Sequence, residues 1–328
     1  MTVTRSTGMN EHPALPDPVR FAPELMAAAA RLYYLQDATQ AEIADRLGTS
    51  RPTVSRLLAE ARRVGIVRID IVEPTDGGLD ELAGRTAESL GISKVWLVPA
   101  GTRPALGAAL APAVRQALLA ADLRAGDVLL VSSGRTVHAA AQAELPELPG
   151  VIIVPTVGGR DEPEAWYQTN EITRQVAVQV HGRPTFLYAP VLPGKALRRL
   201  LLDDPGTRAV LDLWGRASCA LLGVGAPPLA RQSLHGSFSP DDPWLQNAVG
   251  DICARFYDEN GAPLAFPGSE RLLSTDLETL RRIPTTIALA AGTEKLSSIR
   301  AGARAGWFNQ LVTDTSTAQA LLAAAPDS

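Results

Sequence analysis

Cysteine, histidine and long apolar runs are all scarce in this chain, and each scarcity removes a class of function. Cys219 and Cys253 are the only cysteines in 328 residues, with no second Cys or His at metal-ligand spacing nearby. Neither a disulfide framework nor a zinc site is expected, and both thiols read as small core residues. The four histidines, at 12, 138, 181 and 235, are scattered, so no metal or other cofactor is assigned. No run of 18 apolar residues exists and no basic-then-apolar leader opens the chain, which predicts a cytoplasmic protein with no membrane partner. An excess of positive charge is missing too. With 31 Lys+Arg against 35 Asp+Glu the net charge is −4, so a nucleic-acid role requires a local basic patch.

What is present is enough apolar residue, 46%, to fill two cores, and a length that favours two domains. Residues 1–20 carry Pro13, Pro16 and Pro18 among small and polar residues and read as a disordered leader. From Pro23 the pattern becomes helical. Leu25, Met26, Ala29, Leu32 and Tyr33 give a first amphipathic helix ending near Gln36, with a break at Asp37–Ala38. Thr39 with Glu42 forms a capping-box signature for a second, short helix whose inner stripe is Ala41, Ile43, Ala44 and Leu47, stopped by Gly48. Ser50 or Arg51 opens a third helix with Pro52 in its first turn and Val54, Leu57, Leu58 and Ala61 inward.

Two short helices joined by a glycine turn predict a helix-turn-helix, the second helix lying in a DNA major groove. Six arginines (46, 51, 56, 62, 63 and 68) stand against the single acid Glu60 between positions 46 and 68. That is a footprint for phosphates. Arg51, Pro52, Thr53, Ser55 and Arg56 occupy the N-terminal part of the third helix, where Arg51, Thr53, Ser55 and Arg56 reach base edges. Arg46, Arg62, Arg63 and Arg68 are assigned to the backbone. The alternation Ile66–Val72 resembles the strand of a wing, and Pro74, Gly77 and Gly78 form a hinge. The organisation expected is a leader over 1–20, a helix-turn-helix domain over 21–74, a linker with a coupling helix over 75–91, and an effector and oligomerisation domain over 92–328. The amphipathic stretch Leu79–Leu90 equally suits an ordinary first helix of the second domain.

From Val95 onward strand-like runs alternate with helical ones: Val95–Val98, Val128–Ser132, Val151–Val157, Thr185–Tyr188, Ala220–Val224, Thr285–Ala290 and Gln310–Thr313. This predicts an α/β, doubly wound, mainly parallel sheet, whose ligands lie beyond the carboxyl ends of strands. The loop Ser132-Ser133-Gly134-Arg135-Thr136 offers hydroxyls, backbone N–H groups and a cation at a helix start, which suits a phosphate. Gly158-Gly159-Arg160 and Gly223-Val224-Gly225 follow other strands, and Gly292-Thr293-Glu294-Lys295 brings a second cation to the sheet edge.

These residues resemble the SorC family of bacterial sugar-responsive transcriptional regulators from about Leu25 to Leu322. The most specific stretch is Thr39 to Ala44 with Leu47 to Leu58. Supporting it are Val157-Gly158-Gly159, Asn170-Glu171-Ile172, Gly250-Asp251-Ile252, Arg255-Phe256-Tyr257-Asp258, Gly292 to Lys295 and Leu311 to Asp314. The resemblance implies an effector domain similar in fold to sugar-phosphate isomerases and deaminases, a phosphorylated sugar as effector, and homo-dimers or homo-tetramers on palindromic double-stranded operators. It also implies that Ser132, Gly134 and Thr136 belong to a phosphate loop, that Asp251 is a ligand-site acid and that Lys295 holds phosphate. Asn170 joins the effector set through its matching stretch. This chain departs from the family pattern at Ser133, where tryptophan is usual, and at Arg135.

Two other readings compete. In the first, an isomerase-like enzyme uses Asp251, Glu171 and Lys295 for proton transfer. The helix-turn-helix and the lack of a tight acid/base cluster at one loop count against catalytic residues. In the second, an architectural DNA binder responds to no metabolite; the large anion-friendly domain counts against it.

Overall fold

The computed structural model describes residues 21–36, 38–67, 77–100, 106–231 and 241–323. The leader, Asp37, Arg68, most of the wing segment, Pro74, His12 and His235 lie outside those residues. The chain divides into two units, Met1–Pro74 and Thr75–Ser328.

In the first unit α1 (Pro23–Leu35), α2 (Gln40–Arg46) and α3 (Arg51–Arg63) enclose a small core of Met26, Ala29, Ala30, Ile43, Ala44, Val54, Leu57, Leu58 and Ala61. The caps explain the boundaries. The Thr39 hydroxyl accepts the Glu42 N–H while the Glu42 carboxylate accepts the Thr39 N–H at 2.8 Å, a reciprocal capping box. Gly48 takes a φ of 61°, and Ser50 caps α3 by accepting the Thr53 N–H. Two expected inward residues face out instead. Tyr33 is 37% exposed and Ala41 is exposed, because the core closes on Ala29 and Ala30 before α1 ends and on Ile43 and Ala44 in α2.

The second unit holds a seven-stranded sheet of β1 (Lys94–Val98), β2 (Val128–Val131), β3 (Ile152–Pro155), β4 (Arg183–Pro184), β5 (Cys219–Gly223), β8 (Thr285–Leu289) and β9 (Gln310–Asp314). β6 (Gly250–Ile252) and β7 (Arg255–Tyr257) form a separate antiparallel hairpin. All pairings in the large sheet are parallel, in the order β1-β9-β8-β5-β2-β3-β4. The helices are α4 (Gly77–Leu90), α5 (Leu106–Ala109), α6 (Ala111–Ala120), α7 (Arg135–Ala141), α8 (Thr169–Gln179), α9 (Lys195–Asp203), α10 (Pro205–Trp214), α11 (Pro243–Asn247), α12 (Leu277–Arg282), α13 (Leu296–Arg304) and α14 (Thr315–Ala323).

Strand side chains alternate between two cores. Leu129, Val131, Leu221, Ile287 and Leu289 face α6, α7 and α8, whereas Leu130, Leu222 and Ala288 face α12, α13 and the hairpin. Both faces are therefore covered, as a buried parallel sheet demands. α4 packs on β1 and α14 inside this unit.

The run Thr185–Tyr188 does not pair as a strand beyond the Thr185 N–H, which donates to the Ile153 carbonyl. The Asn170 side chain takes over: its oxygen accepts the Leu187 N–H at 3.0 Å and its amide donates to the Leu187 carbonyl at 3.1 Å. Such side-chain capture ends a ladder.

The β6–β7 turn is strained, since Cys253 and Ala254 take φ of 54° and 61° without being glycine. Ala254→Gly should raise stability by about 1 kcal/mol by relieving one left-handed residue. Thermal unfolding of the two proteins checks this; an unchanged or lower midpoint would show that the turn stores no strain at Ala254.

Candidate effector crevice and DNA-binding helix

The strand order reverses between β2 and β5: from β2 the chain steps outward through β3 and β4, and from β5 it steps the other way through β8 and β9. A crevice opens beyond the carboxyl ends of strands at such a switch point. The loops after β2 and β5 meet there, joined by the Gly223 N–H donating to the buried Ser132 hydroxyl at 2.8 Å. Ser132 in turn donates to the Ser133 carbonyl. Gly134 takes a φ of 124°, and its N–H donates to the Trp166 carbonyl at 2.8 Å. Arg135 and Thr136 follow in the first turn of α7, and Arg135 is exposed.

Asp251 reaches the crevice from the hairpin. Its backbone oxygen accepts the Gly225 N–H, and its carboxylate pairs with Arg231, whose guanidinium also donates twice to the Ala226 carbonyl. A Cβ on Gly225 would collide with both the Asp251 carboxylate and the Arg231 guanidinium. Only glycine leaves room for the pair.

Lys295 arrives from the other side, at the end of a single 3-10 turn over Thr293–Lys295 that leads into α13. Burial pulls its ammonium down to about 8; the Arg135 and Arg231 charges push the same way, and Glu294 and Asp251 oppose them. Arg135, Arg231 and Asp251 thus each lie within electrostatic reach of Lys295, and Asp251 is paired with Arg231.

In the first unit Arg46, Arg51, Pro52, Ser55, Arg56, Arg62 and Arg63 are all exposed. Thr53 is half-buried and its hydroxyl shares a 2.8 Å hydrogen bond with Ser50, so capping already occupies it. Arg63 is bound through two nitrogens to Glu60, at 2.6 and 2.9 Å, which lowers the net charge at the end of α3.

The model of the sugar-binding domain family, Sugar-bind, matches residues 77–323, and that of the Crp-like helix-turn-helix domain matches residues 24–74. The sorbitol operon regulator of Klebsiella pneumoniae is 33% identical over 310 residues, spanning 91% of this chain and 97% of that protein. The chain belongs to the SorC family.

A crystal structure of the full-length Klebsiella pneumoniae sorbitol operon regulator SorC superposes with a TM-score of 0.76 at 30% identity, covering 91% of this chain and 98% of that one. The deoxyribonucleoside regulator of Bacillus subtilis is 31% identical over 307 residues, 91% of this chain and 97% of the relative. This SorC family member is accordingly a DNA-binding transcriptional regulator with an effector domain, and its relatives carry regulator names.

Within this SorC family chain the expected effector residues separate into two groups. Ser132, Ser133, Gly134, Arg135, Thr136, Asp251 and Lys295 belong to the loops and hairpin around the switch point. Gly158 and Gly159 serve the chain itself: their N–H groups donate to the Leu273 and Ala189 carbonyls, and a Cβ on Gly158 would meet the Ala189 and Pro190 backbone. Both polar atoms of the Asn170 side chain are held by Leu187. Glu171 sits on α8 with Arg174 and Gln175 as partners, and the Arg174 guanidinium holds its carboxyl below the usual range. Both cysteines are buried free thiols pushed up to about 12 by that burial. Arg231 escaped the sequence reading because no motif surrounds it. Its only sequence signal is its place a few residues after the Gly223–Gly225 pair.

A lysine whose folded pKa is near 8 and whose unfolded pKa is 10.5 binds fewer protons folded than unfolded between those values, so its contribution to stability rises with pH across that window. Below pH 8 the burial penalty is present in full. Lys295→Met should therefore be stabilising at pH 7, and its advantage over the parent should shrink toward pH 10. Melting temperatures of the pair from pH 7 to 10 check this, and a gap independent of pH would contradict a depressed Lys295.

Proposed function

We propose that the effector is a phosphorylated sugar held at the β2/β5 switch point, with its phosphate against Lys295 and Arg135 and its hydroxyls toward Asp251. The observation that carries this reading is that Arg135 and Arg231 both lie within electrostatic reach of Lys295, so that three cations gather at the switch point beside two carboxylates, Glu294 and Asp251, the latter already paired with Arg231. The two guanidiniums disfavour the charged Lys295 ammonium, and a dianion relieves that repulsion. The buried Ser132 hydroxyl and the left-handed Gly134 fix the loop that carries Arg135.

On the DNA side, we assign Arg51, Ser55 and Arg56 to base edges and Arg46, Arg62 and Arg63 to phosphates. The protein acts as a homo-dimer or homo-tetramer on a palindromic operator in the cytoplasm, and effector binding favours one arrangement of two recognition helices over another. Among the described residues no helix is long and apolar enough to cross a membrane.

Catalysis is a weaker reading. The Asp251 carboxylate is engaged by Arg231 and the Glu171 carboxylate by Arg174, so neither stands ready as a general base.

A thermal-shift series with sugar phosphates and their unphosphorylated parents tests the ligand class. A ligand at 100 times its Kd adds about 2.7 kcal/mol. Stabilisation by a phosphorylated sugar, abolished in Lys295→Ala, is expected; stabilisation by unphosphorylated compounds alone overturns the phosphate assignment. For the DNA face, Arg51→Ala or Arg56→Ala should cost about 1–3 kcal/mol on the operator and relax discrimination at one base position. Equal weakening on every sequence would move that arginine to the phosphate set.

A further inference from the structure

The end of α1 holds apolar and aromatic surface that the first unit's core does not use. Tyr33 and Tyr34 are 37% and 36% exposed and stack edge to face at 4.9 Å, while the core beneath closes on Met26, Ala29 and Ala30. The two rings wall a shallow depression of about 620 Å³ whose other walls are Ala38, Thr39, Gln40, Ala41 and Arg51. The close of α1, the start of α2 and the first residue of α3 therefore share one surface.

That surface adjoins the end of α3 read as entering the groove. In a helix-turn-helix the first of the two helices crosses the DNA backbone, and neutral donors such as Tyr and Gln are common partners of phosphate oxygens. Among the described residues the acid beside this surface is Glu42, and it is committed to the cap: its carboxylate accepts both the N–H and the hydroxyl of Thr39, which holds its pKa below the usual range. Its charge is spent on the first turn of α2, and the depression presents two phenols, an amide and a guanidinium.

We propose that Tyr33, Tyr34 and Gln40 form a neutral shelf that seats the sugar-phosphate backbone beside the groove entered by Arg51, fixing the register of α3. The proposal rests on α3 being the DNA-reading helix. The shelf contributes hydrogen bonds to phosphate oxygens and displaces no cation from the duplex. Its signature is affinity without salt dependence, since the salt slope counts the cationic contacts.

The test uses the full-length chain, a short duplex of mixed sequence, and fluorescence anisotropy over a series of NaCl concentrations. The Y33F/Y34F double variant keeps both rings and should bind about tenfold more weakly at every salt concentration, as loss of hydrogen bonds to a charged acceptor requires, with the slope of log K against log[salt] unchanged. Gln40→Ala should behave in the same way to a smaller degree. Arg62→Ala, run beside them as a phosphate contact, should lower affinity and reduce the slope by about 0.9. Parent-like affinity in both Y33F/Y34F and Gln40→Ala, with Arg62→Ala weakened, overturns the shelf and leaves the α3 reading standing. Parent-like affinity in Arg51→Ala, Arg56→Ala and Arg62→Ala overturns the α3 reading itself. Melting temperatures of the variants separate a lost contact from a lost fold: weakening only in variants that melt early also overturns the shelf.

Discussion

The hydrogen bond from the Gly223 N–H to the buried Ser132 hydroxyl sits where the sheet changes direction, and the crevice depends on it. β2 and β5 are neighbours, yet the chain leaves them toward opposite faces, into α7 on one side and toward the β6–β7 hairpin on the other. Two loops that diverge in this way would separate unless something crosses between them. A serine hydroxyl can accept from one loop and donate to the other's carbonyl, and Ser132 does both through Gly223 and Ser133. With the loops pinned, Arg135 and Arg231 have fixed starting points, and the hairpin brings Asp251 to meet Arg231.

The charges at that point follow from geometry more than from composition. The chain as a whole is acidic, at −4, yet both candidate binding surfaces are rich in arginine or lysine. In the first unit the cations are exposed along α3, where solvent screens them and an incoming polyanion releases counterions. In the crevice Lys295 is half-buried within electrostatic reach of Arg135 and Arg231, where screening is weaker and the field of an anion is felt more strongly. The same residue types therefore stand in two different settings, many exposed and screened along α3 and a few partly desolvated in the crevice.

Much of this was legible in the sequence, because local rules decided it. The Thr39–Glu42 box, Gly48, the Ser50 cap and the inner face Val54, Leu57, Leu58 and Ala61 are each set within a few residues of chain. Long strands such as β5 and β8, flanked by turns, were equally readable. What failed depended on distant partners. Thr185–Tyr188 has strand composition, but Asn170, 17 residues earlier than Leu187, captures the backbone that a ladder would need. The hairpin β6–β7 is too short to show alternation, and its turn uses Cys253 and Ala254 where glycine or asparagine would announce it. Arg231 meets Asp251 only through tertiary folding. At Tyr33 the apolar spacing was real, but periodicity cannot say where a three-helix core closes.

The Arg231–Asp251 pair also bears on how such a crevice can signal. A carboxylate held by a guanidinium has already satisfied part of its hydrogen-bonding capacity, which suits it to accepting a further hydrogen bond more than to removing a proton. The pair ties the loop after β5 to the hairpin, two segments that are otherwise joined at Gly225. An anion arriving at Lys295 and Arg135 changes the field felt by both partners without altering covalent structure. Only a ligand with different affinity for two arrangements of these segments can shift their balance, and linkage then requires bound DNA to change the ligand's affinity by the same factor.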